Sequence, residues 1–485
     1  MARPSFVVIF LSTVEFLRDS VRVCIVIATK HDHQKGILMI RSRLLGILLV
    51  AGLGLSACGD GSADESAKDG KVTLIVNGLP PATEKVNHDR FLANVAEFEK
   101  ANPTIKIDAR EGKMDPQTFQ AKLAGGQLED VFYVYFTDPA GLIAKRQVAD
   151  ISDYLKDAPV AGEIKPDVLR VFQDDKGRTY GLPYKNYSMG LLYNRDLFTK
   201  AGLDPDKPPA TWAEVREAAK KIAALGRDYV GYGDYSKSNT GGWHFTTELY
   251  SIGGEIATQE DGTWKAAFNN DKGRQVLQQL KDMRWTDGSM GQKQLLEWAD
   301  LLNMMGSGKL GMYVATADNI PTIVNQFKGA YKSYGLGPIP DGQGTLGGGE
   351  GYLFKAGLSP EKIKAGLKWL SFWFASPERI EAENKWASES EQPVGLPEPA
   401  IFTGAAAEKQ AAADKKYANV PRENYAPFVA KMGSIPVKFE PPNGQQIYAV
   451  LDVPMQKVLT DRNADVTALL ATAETQVNQI LSTVK

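Results

Sequence analysis

Residues 72–107 read VTLIVNGLPPATEKVNHDRFLANVAEFEKANPTIKI, and the fold class follows from this stretch. It opens with a β-branched run, residues 72–76, that ends at an Asn-Gly pair and therefore predicts a buried strand. Apolar residues at helical spacing then predict a helix over residues 88–100, which an Asn-Pro pair ends. Residues 105–107 predict a second short strand. The order strand, helix, strand predicts a parallel βαβ unit.

The same alternation continues along the chain. The sequence predicts a helix over residues 116–125, a strand over 130–135, a turn at 180–183, a strand over 189–193 and a last helix over 464–483. This alternation predicts an α/β fold with parallel sheets. Ligands of such sheets bind in crevices at the carboxyl ends of the strands.

The composition is that of an ordinary globular protein. The chain has 485 residues, of which 43% are hydrophobic and 24% charged, with a formal net charge of −2. Such a chain has enough apolar residues for a full core. Its mild acidity and its lack of a basic block argue against nucleic acid as a partner.

Residues 44–60, LLGILLVAGLGLSACGD, predict a secretory signal. The apolar run from Leu44 to Leu55 is shorter than the roughly 20 residues that a membrane-spanning helix needs. Basic residues precede this run and small residues follow it, as in a signal peptide. Its end, Leu-Ser-Ala-Cys, resembles a bacterial lipobox, which implies that Cys58 becomes a lipidated N-terminus.

This interpretation divides the N-terminal part of the chain. Residues 1–57 comprise an upstream extension and a signal peptide over 39–57, so we expect the natural start at Met39. Residues 58–69 are small, polar and charged, and they predict a flexible tether. The lipid on Cys58 is then the expected membrane contact, at the extracytoplasmic face of the bacterial cell membrane.

No catalytic motif is apparent in the sequence. The chain after the signal has two histidines, His88 and His244, and it lacks HExxH, paired CxxC and GxSxG patterns. We therefore expect no metal site, no cofactor and no enzymatic activity. Two carboxylates placed for glycoside hydrolysis need not be near in sequence, so a hydrolase remains an alternative.

Aromatic residues next to turns favour a carbohydrate ligand, because ring faces stack on apolar sugar patches while polar side chains hold the hydroxyls. Trp243 stands in SNTGGWHFTTE directly after two glycines, and Trp298 precedes the GSGK turn. Each has two interpretations, a ligand platform or core packing, and the sequence leaves both open.

Five segments match the pattern of a known family: DKGRTYGLPY at 175–184, LYNRDLF at 192–198, PPATWAE at 208–214, GSGKLGM at 306–312 and GPIP at 337–340. With these segments the chain resembles bacterial extracellular solute-binding proteins of ABC importers, in the sugar-binding group that includes maltose-binding protein. The resemblance covers residues 70–485. It departs from the family at residues 392–394, which lack a frequent arginine, and at residues 310–311, where alanines are usual.

The resemblance implies a periplasmic-binding-protein-like fold, with two α/β lobes, a hinge and a ligand cleft between the lobes. Lobe 1 is expected over residues 70–183 and 350–400, and lobe 2 over 184–349 and 401–485. The protein is expected to close on a carbohydrate by a hinge motion, as a monomer. The closed form would dock on the permease subunits of an ABC importer.

The resemblance also implies ligand contacts at the ends of strands, in loops and at the hinge. The expected contacts are Asn77, Tyr135, Asp138, Lys185, Asn186, Tyr187, Trp243, His244, Trp298, Asp318, Asn319, Glu350 and Tyr448.

Two alternatives to transport stay open at this point. One is a lipid-anchored glycoside hydrolase, which needs two carboxylates across the cleft. The other is a sensor lipoprotein that binds a sugar and reports its presence to a signalling receptor.

Overall fold

The computed structural model of the protein describes residues 70–115, 118–375 and 377–484. The signal peptide, Cys58 and the tether lie outside the described residues. Within the described part, no helix combines the length and the apolar character needed to cross a membrane.

Strands are distributed along the whole described chain. They are β1 (Val72–Leu79), β2 (Ile105–Glu111), β3 (Val131–Tyr135), β4 (Gly181–Ser188), β5 (Gly190–Asn194), β6 (Val230–Tyr232), β7 (Ala257–Glu260), β8 (Thr263–Ala266), β9 (Leu310–Ala315), β10 (Tyr334–Pro338), β11 (Thr345–Phe354) and β12 (Val437–Phe439).

Helices alternate with these strands. They are α1 (Lys85–Ala101), α2 (Phe119–Ala124), α3 (Pro139–Ala144), α4 (Pro166–Arg170), α5 (Arg195–Lys200), α6 (Trp212–Ala223), α7 (Thr240–Ser251), α8 (Asp271–Trp285), α9 (Trp298–Gly306), α10 (Asn319–Phe327), α11 (Pro360–Leu370), α12 (Pro377–Glu389), α13 (Gly404–Tyr417), α14 (Ala426–Met432), α15 (Gly444–Thr460) and α16 (Val466–Leu481).

Two larger sheets organise the fold. The first has the order β12-β11-β3-β1-β2, with β4 paired to β11, and the second has the order β10-β5-β9-β6. β1 and β2 pair in parallel around α1, so the βαβ prediction is confirmed. Both sheets are nevertheless mixed, because β11 runs antiparallel to β3 and β4, and β5 runs antiparallel to β9 and β10.

The turn predicted at residues 180–183 is wrong, since residues 181–188 form strand β4. The proline suggested a turn because it has no backbone N–H to donate to a sheet. In the structure Pro183 pairs with Gly351 beside an irregularity in the β4–β11 register. A register irregularity of this kind is one of the places where a strand tolerates proline.

The chain crosses between the sheets more than once. β4 of the first sheet leads directly into β5 of the second, and β10 of the second leads into β11 of the first. Separate apolar clusters support the two sheets: Trp369 packs edge-on against Phe98 beneath the first, and α15 packs along α7 and α16 beside the second. The protein thus has two α/β lobes, and residues near the crossings belong to the surfaces where they meet.

Candidate ligand-binding site

Glu350 occupies the middle of a row of polar side chains across the first sheet. It stands directly opposite Tyr135 of β3 on one side and Lys185 of β4 on the other. Directly opposite residues share one face of a sheet, so a phenol, a carboxylate and an ammonium lie side by side. Next to Glu350, glycine allows close packing against β11. A Cβ at Gly349 would lie only 2.5 Å from the Phe136 ring.

Lys185 joins this row to two other parts of the chain. Its Nζ lies 2.8 Å from Oε1 of Glu398, in the segment between α12 and α13. It also lies 3.7 Å from Oδ2 of Asp318, which precedes α10 beside the second sheet. Burial acts to lower the pKa of Lys185, but these carboxylates outweigh it and hold the pKa well above its usual range.

The two carboxylates respond differently to the same lysine. Burial acts to raise the pKa of Asp318, yet Lys185 and hydrogen bonds from Thr316 and Asn319 hold it below its ordinary value. For Glu398 burial prevails over the nearby lysine, and the pKa is raised.

A second lysine approaches the row from lobe 1. The Nζ of Lys113 lies 3.4 Å from both carboxylate oxygens of Glu350. The same ammonium lies 5.2 Å from the centre of the Tyr133 ring, within the range of a cation–π contact.

Asp138 and Glu440 place two further carboxyl groups near Tyr135. The backbone N–H of Tyr135 donates to Asp138 Oδ2 at 3.1 Å. The Tyr448 hydroxyl donates to Glu440 Oε1 at 3.2 Å, while Glu440 Oε2 is buried without a partner in the described residues. Burial raises the pKa of Asp138 to about 7 and that of Glu440 to about 8.

Aromatic rings of the first sheet and of α7 meet beside the row. Tyr187 of β4 contacts Trp243 of α7 edge-on, with ring centres 6.1 Å apart. Trp243 lies parallel to Tyr235 at 6.5 Å. Trp243 is partly exposed, and at the preceding Gly242 the first turn of α7 lies so close to the backbone of Tyr448 that a Cβ has no room.

Trp298 and Asn319 lie together in lobe 2. The Trp298 indole keeps 44% of its surface exposed, and its Nε1 donates to Asn319 Oδ1 at 2.9 Å. The hydroxyls of Tyr235 and Tyr313 donate to the same oxygen at 3.2 and 3.3 Å. Asn319 therefore holds Trp298 in a fixed position relative to the tyrosines that support Trp243.

Besides Asn186 and Asn319, three of the expected contacts are buried in this conformation. Asn77 Oδ1 accepts the backbone N–H of Tyr133 at 2.8 Å, and Tyr448 is 1% exposed. His244 has no exposed surface, and its Nδ1 bonds to Asp234 Oδ1. Burial lowers the pKa of His244 to about 3. These side chains position their neighbours, and in this conformation they present little or no surface to a ligand.

A cavity of about 690 Å³ adjoins β4. Its wall includes Lys185, Asn186, Glu398 and the parallel rings of Tyr184 and Trp373, whose centres are 5.2 Å apart. Asn186 is 8% exposed, and its Oδ1 has no partner among the described residues. A buried amide oxygen without a partner is costly unless a water or a ligand satisfies it.

The structure thus brings Tyr135, Asp138, Lys185, Asn186, Tyr187, Trp243, Asp318 and Glu350 into one neighbourhood. Five further residues of this neighbourhood were not expected from the sequence: Lys113, Tyr184, Trp373, Glu398 and Glu440. Glu398 lies between two prolines and shortly after residues 392–394, which depart from the family pattern. This departure was the one feature of the sequence that pointed to the segment. In the described part of the chain, no group of His, Cys, Asp and Glu is placed to hold a metal ion.

Two α/β lobes with polar groups and aromatic rings gathered at their junction define a two-lobed ligand-binding protein. Residues 85–378 match the model of the family described as bacterial extracellular solute-binding protein, and the chain belongs to that family.

Individual relatives are similar over part of their length. A binding protein of Brucella abortus (strain 2308) is 31% identical over 263 residues, which are 52% of this chain and 60% of that protein. The sn-glycerol-3-phosphate-binding periplasmic protein UgpB of the same strain is 29% identical over 220 residues, 43% of this chain and 48% of that protein. The chain thus spans less than two thirds of the length of these relatives.

Solved structures share the fold over nearly their whole length. An ABC transporter solute-binding protein of Thermotoga lettingae, bound with α-D-tagatose, superposes with a TM-score of 0.67 at 20% identity. The match covers 85% of this chain and 100% of the Thermotoga lettingae chain. The GacH receptor of Streptomyces glaucescens, also studied in complex with acarbose, has a TM-score of 0.66 at 19% identity and covers 86% of this chain and 100% of its own.

Proposed function

We propose that this protein captures a carbohydrate between its two lobes and delivers it to the permease subunits of an ABC importer. The observation that carries the proposal is the meeting of Lys185, Glu350 and Asp318 from both lobes beside Tyr187 and Trp243. Ring faces suit the apolar patches of a sugar, and charged side chains hold hydroxyls with strong hydrogen bonds.

The ligands of similar proteins support this class. The Thermotoga lettingae protein holds α-D-tagatose, the Streptomyces glaucescens receptor binds acarbose, and a similar protein of Agrobacterium vitis holds D-mannitol. All three are polyhydroxylated compounds, and we propose the same class for this chain.

For the lobe boundaries we propose those that the family resemblance implies. We propose lobe 1 over residues 70–183 and 350–400, and lobe 2 over 184–349 and 401–485. Residues 184–188 and 437–439 add strands to the first sheet and so lie where the lobes join. We propose that the ligand contacts the polar row of Tyr135, Glu350 and Lys185 and the rings of Tyr187 and Trp243. The buried residues Asn77, His244 and Tyr448 would support these contacts.

We also propose that a lipid on Cys58 anchors the protein to the extracytoplasmic face of the cell membrane. The family description, extracellular, supports an extracytoplasmic location. Replacing Cys58 by Ala should move the protein from the membrane fraction to the soluble fraction, and retention in the membrane would contradict the anchor.

We propose no catalytic step. Glu398 is engaged with Lys185, and the matching family is described as solute-binding proteins. A glycoside hydrolase would consume its sugar, whereas a binding protein releases it unchanged.

A thermal-shift screen of the full-length protein in detergent against a carbohydrate panel tests the proposal. A ligand of the folded state stabilises it by about 2.7 kcal/mol at a hundredfold excess over Kd. We expect one sugar class to raise the melting temperature and to be recovered intact. Consumption of the sugar would establish the hydrolase, and loss of uptake in cells lacking the protein would separate transport from sensing.

A further inference from the structure

Carboxylates outnumber ammonium groups in the candidate site. Asp318, Glu350 and Glu398 face Lys113 and Lys185. Asp138 and Glu440 stand close by and gain negative charge as the pH rises. When Glu398 is ionised, the three carboxylates outweigh the two ammonium groups, whatever the protonation of Asp138 and Glu440.

Two of these carboxylates make only long ion pairs. A charge-assisted N–H···O bond is about 2.7–2.9 Å long, and Lys185 and Glu398 reach 2.8 Å. Lys113 stays 3.4 Å from Glu350, and Lys185 stays 3.7 Å from Asp318. Glu350 and Asp318 therefore retain capacity for a closer cation.

The ammonium of Lys113 marks where such a cation fits. It lies between the Glu350 carboxylate and the Tyr133 ring. The Lys113 side chain is 57% exposed, whereas that of Glu350 is 15% exposed. An exposed lysine can swing into solvent at small cost and leave its place between acid and ring to another cation.

We propose that the ligand of this site carries a positively charged nitrogen, as an aminated sugar or polyol does, and that this nitrogen takes the place of Lys113 beside Glu350. The proposal rests on the proposed function and specifies its substrate class. A phosphorylated ligand is disfavoured, because both lysines of the site are already paired with carboxylates.

Matched ligands test the proposal by calorimetry on the full-length protein in detergent. Each set contains a neutral sugar, its amino counterpart and its N-acetylated counterpart: glucose, glucosamine and N-acetylglucosamine, with the corresponding disaccharides. At mildly acidic pH, where the amine is protonated, we expect the amino member to bind at least tenfold more tightly than the other two.

Two variants locate the effect. Glu350→Gln keeps the shape of the side chain and should remove the preference for the amine, while Glu361→Gln, an exposed acid on α11, should keep it. Lys113→Met removes the competing cation and should strengthen binding of the amino sugar. A lower affinity for the amine in Lys113→Met would contradict the exchange.

The outcomes separate the two proposals. Equal or tighter binding of the neutral or N-acetylated members would overturn the charged-nitrogen inference and leave sugar binding intact. If no member of the panel binds, the carbohydrate function falls together with the inference.

Discussion

Lys185 and Glu350 stand directly opposite each other on β4 and β11, and yet the shortest ion pair of Lys185, at 2.8 Å, is with Glu398. The lysine thus links β4 of the first sheet to the segment after α12 and, at 3.7 Å, to Asp318 before α10. One ammonium group holds together three parts of the chain that are distant in sequence.

Lys185→Met should lower the free energy of unfolding by about 1–3 kcal/mol, because it leaves the Glu398 carboxylate without its partner in a half-buried place. The double variant Lys185→Met/Glu398→Gln should lose less than the single one. Denaturant unfolding measures both, with the exposed Lys176→Met as a control. A double variant as unstable as the sum of the single changes would contradict the coupling.

Trp243→Ala should weaken sugar binding at least tenfold and leave the fold intact, because the ring is partly exposed between Tyr187 and Tyr235. Isothermal calorimetry with the sugar found in the screen measures the change. Trp264→Ala, on the β7–β8 hairpin, is the matched tryptophan control and should bind normally. Equal affinities in the two variants would exclude Trp243 as a platform.

His244→Ala should lower the free energy of unfolding by about 1–3 kcal/mol, since it leaves the buried Asp234 carboxyl without its hydrogen bond to the imidazole. Its effect on ligand affinity should be smaller than that of Trp243→Ala. Thermal unfolding and calorimetry on the same sample separate the two roles. Unchanged stability with lost binding would make His244 a direct contact.

Glu440 should make the protein less stable as the pH rises. Burial raises the pKa of Glu440 to about 8, whereas an unfolded glutamate titrates near ~4.3. Between these values the folded state binds more protons than the unfolded state, so the free energy of unfolding falls with increasing pH and levels off above the higher value.

The Glu440→Gln variant isolates this contribution. Its free energy of unfolding should fall less steeply than that of the wild type between pH ~5 and pH ~8. Denaturant unfolding over this range measures the slope, and the exposed Glu408→Gln should behave as the wild type does. Parallel curves for Glu440→Gln and the wild type would show that Glu440 is ionised throughout.

Local features of the fold were predictable from the sequence. The β1–α1–β2 unit is confirmed because its strand run, helical spacing and Asn-Pro stop lie within one short stretch. The capping box of Thr211 and Glu214 at the start of α6 is equally local, because the two residues lie three positions apart in the sequence. The turn predicted at Pro183 failed because the register irregularity that admits the proline arises from pairing with distant β11.

The site was predictable only in part. The family resemblance identified Lys185 and Glu350 as candidates. That they stand opposite each other depends on the pairing register of two strands whose residues are 165 positions apart in sequence. Glu398 and Lys113 carry no local pattern, because what makes them part of the site is the packing of remote segments. The burial of His244 likewise follows from α15 packing on α7, which no local spacing reveals.

The structure of the complex with the sugar found in the screen is the decisive experiment for binding between the lobes. We expect the ligand within hydrogen-bonding distance of Lys185 or Glu350, with a ring face against Trp243 and with side chains of both lobes in contact. A ligand bound elsewhere, with Lys185, Glu398 and Asp318 still paired as they are here, would contradict it.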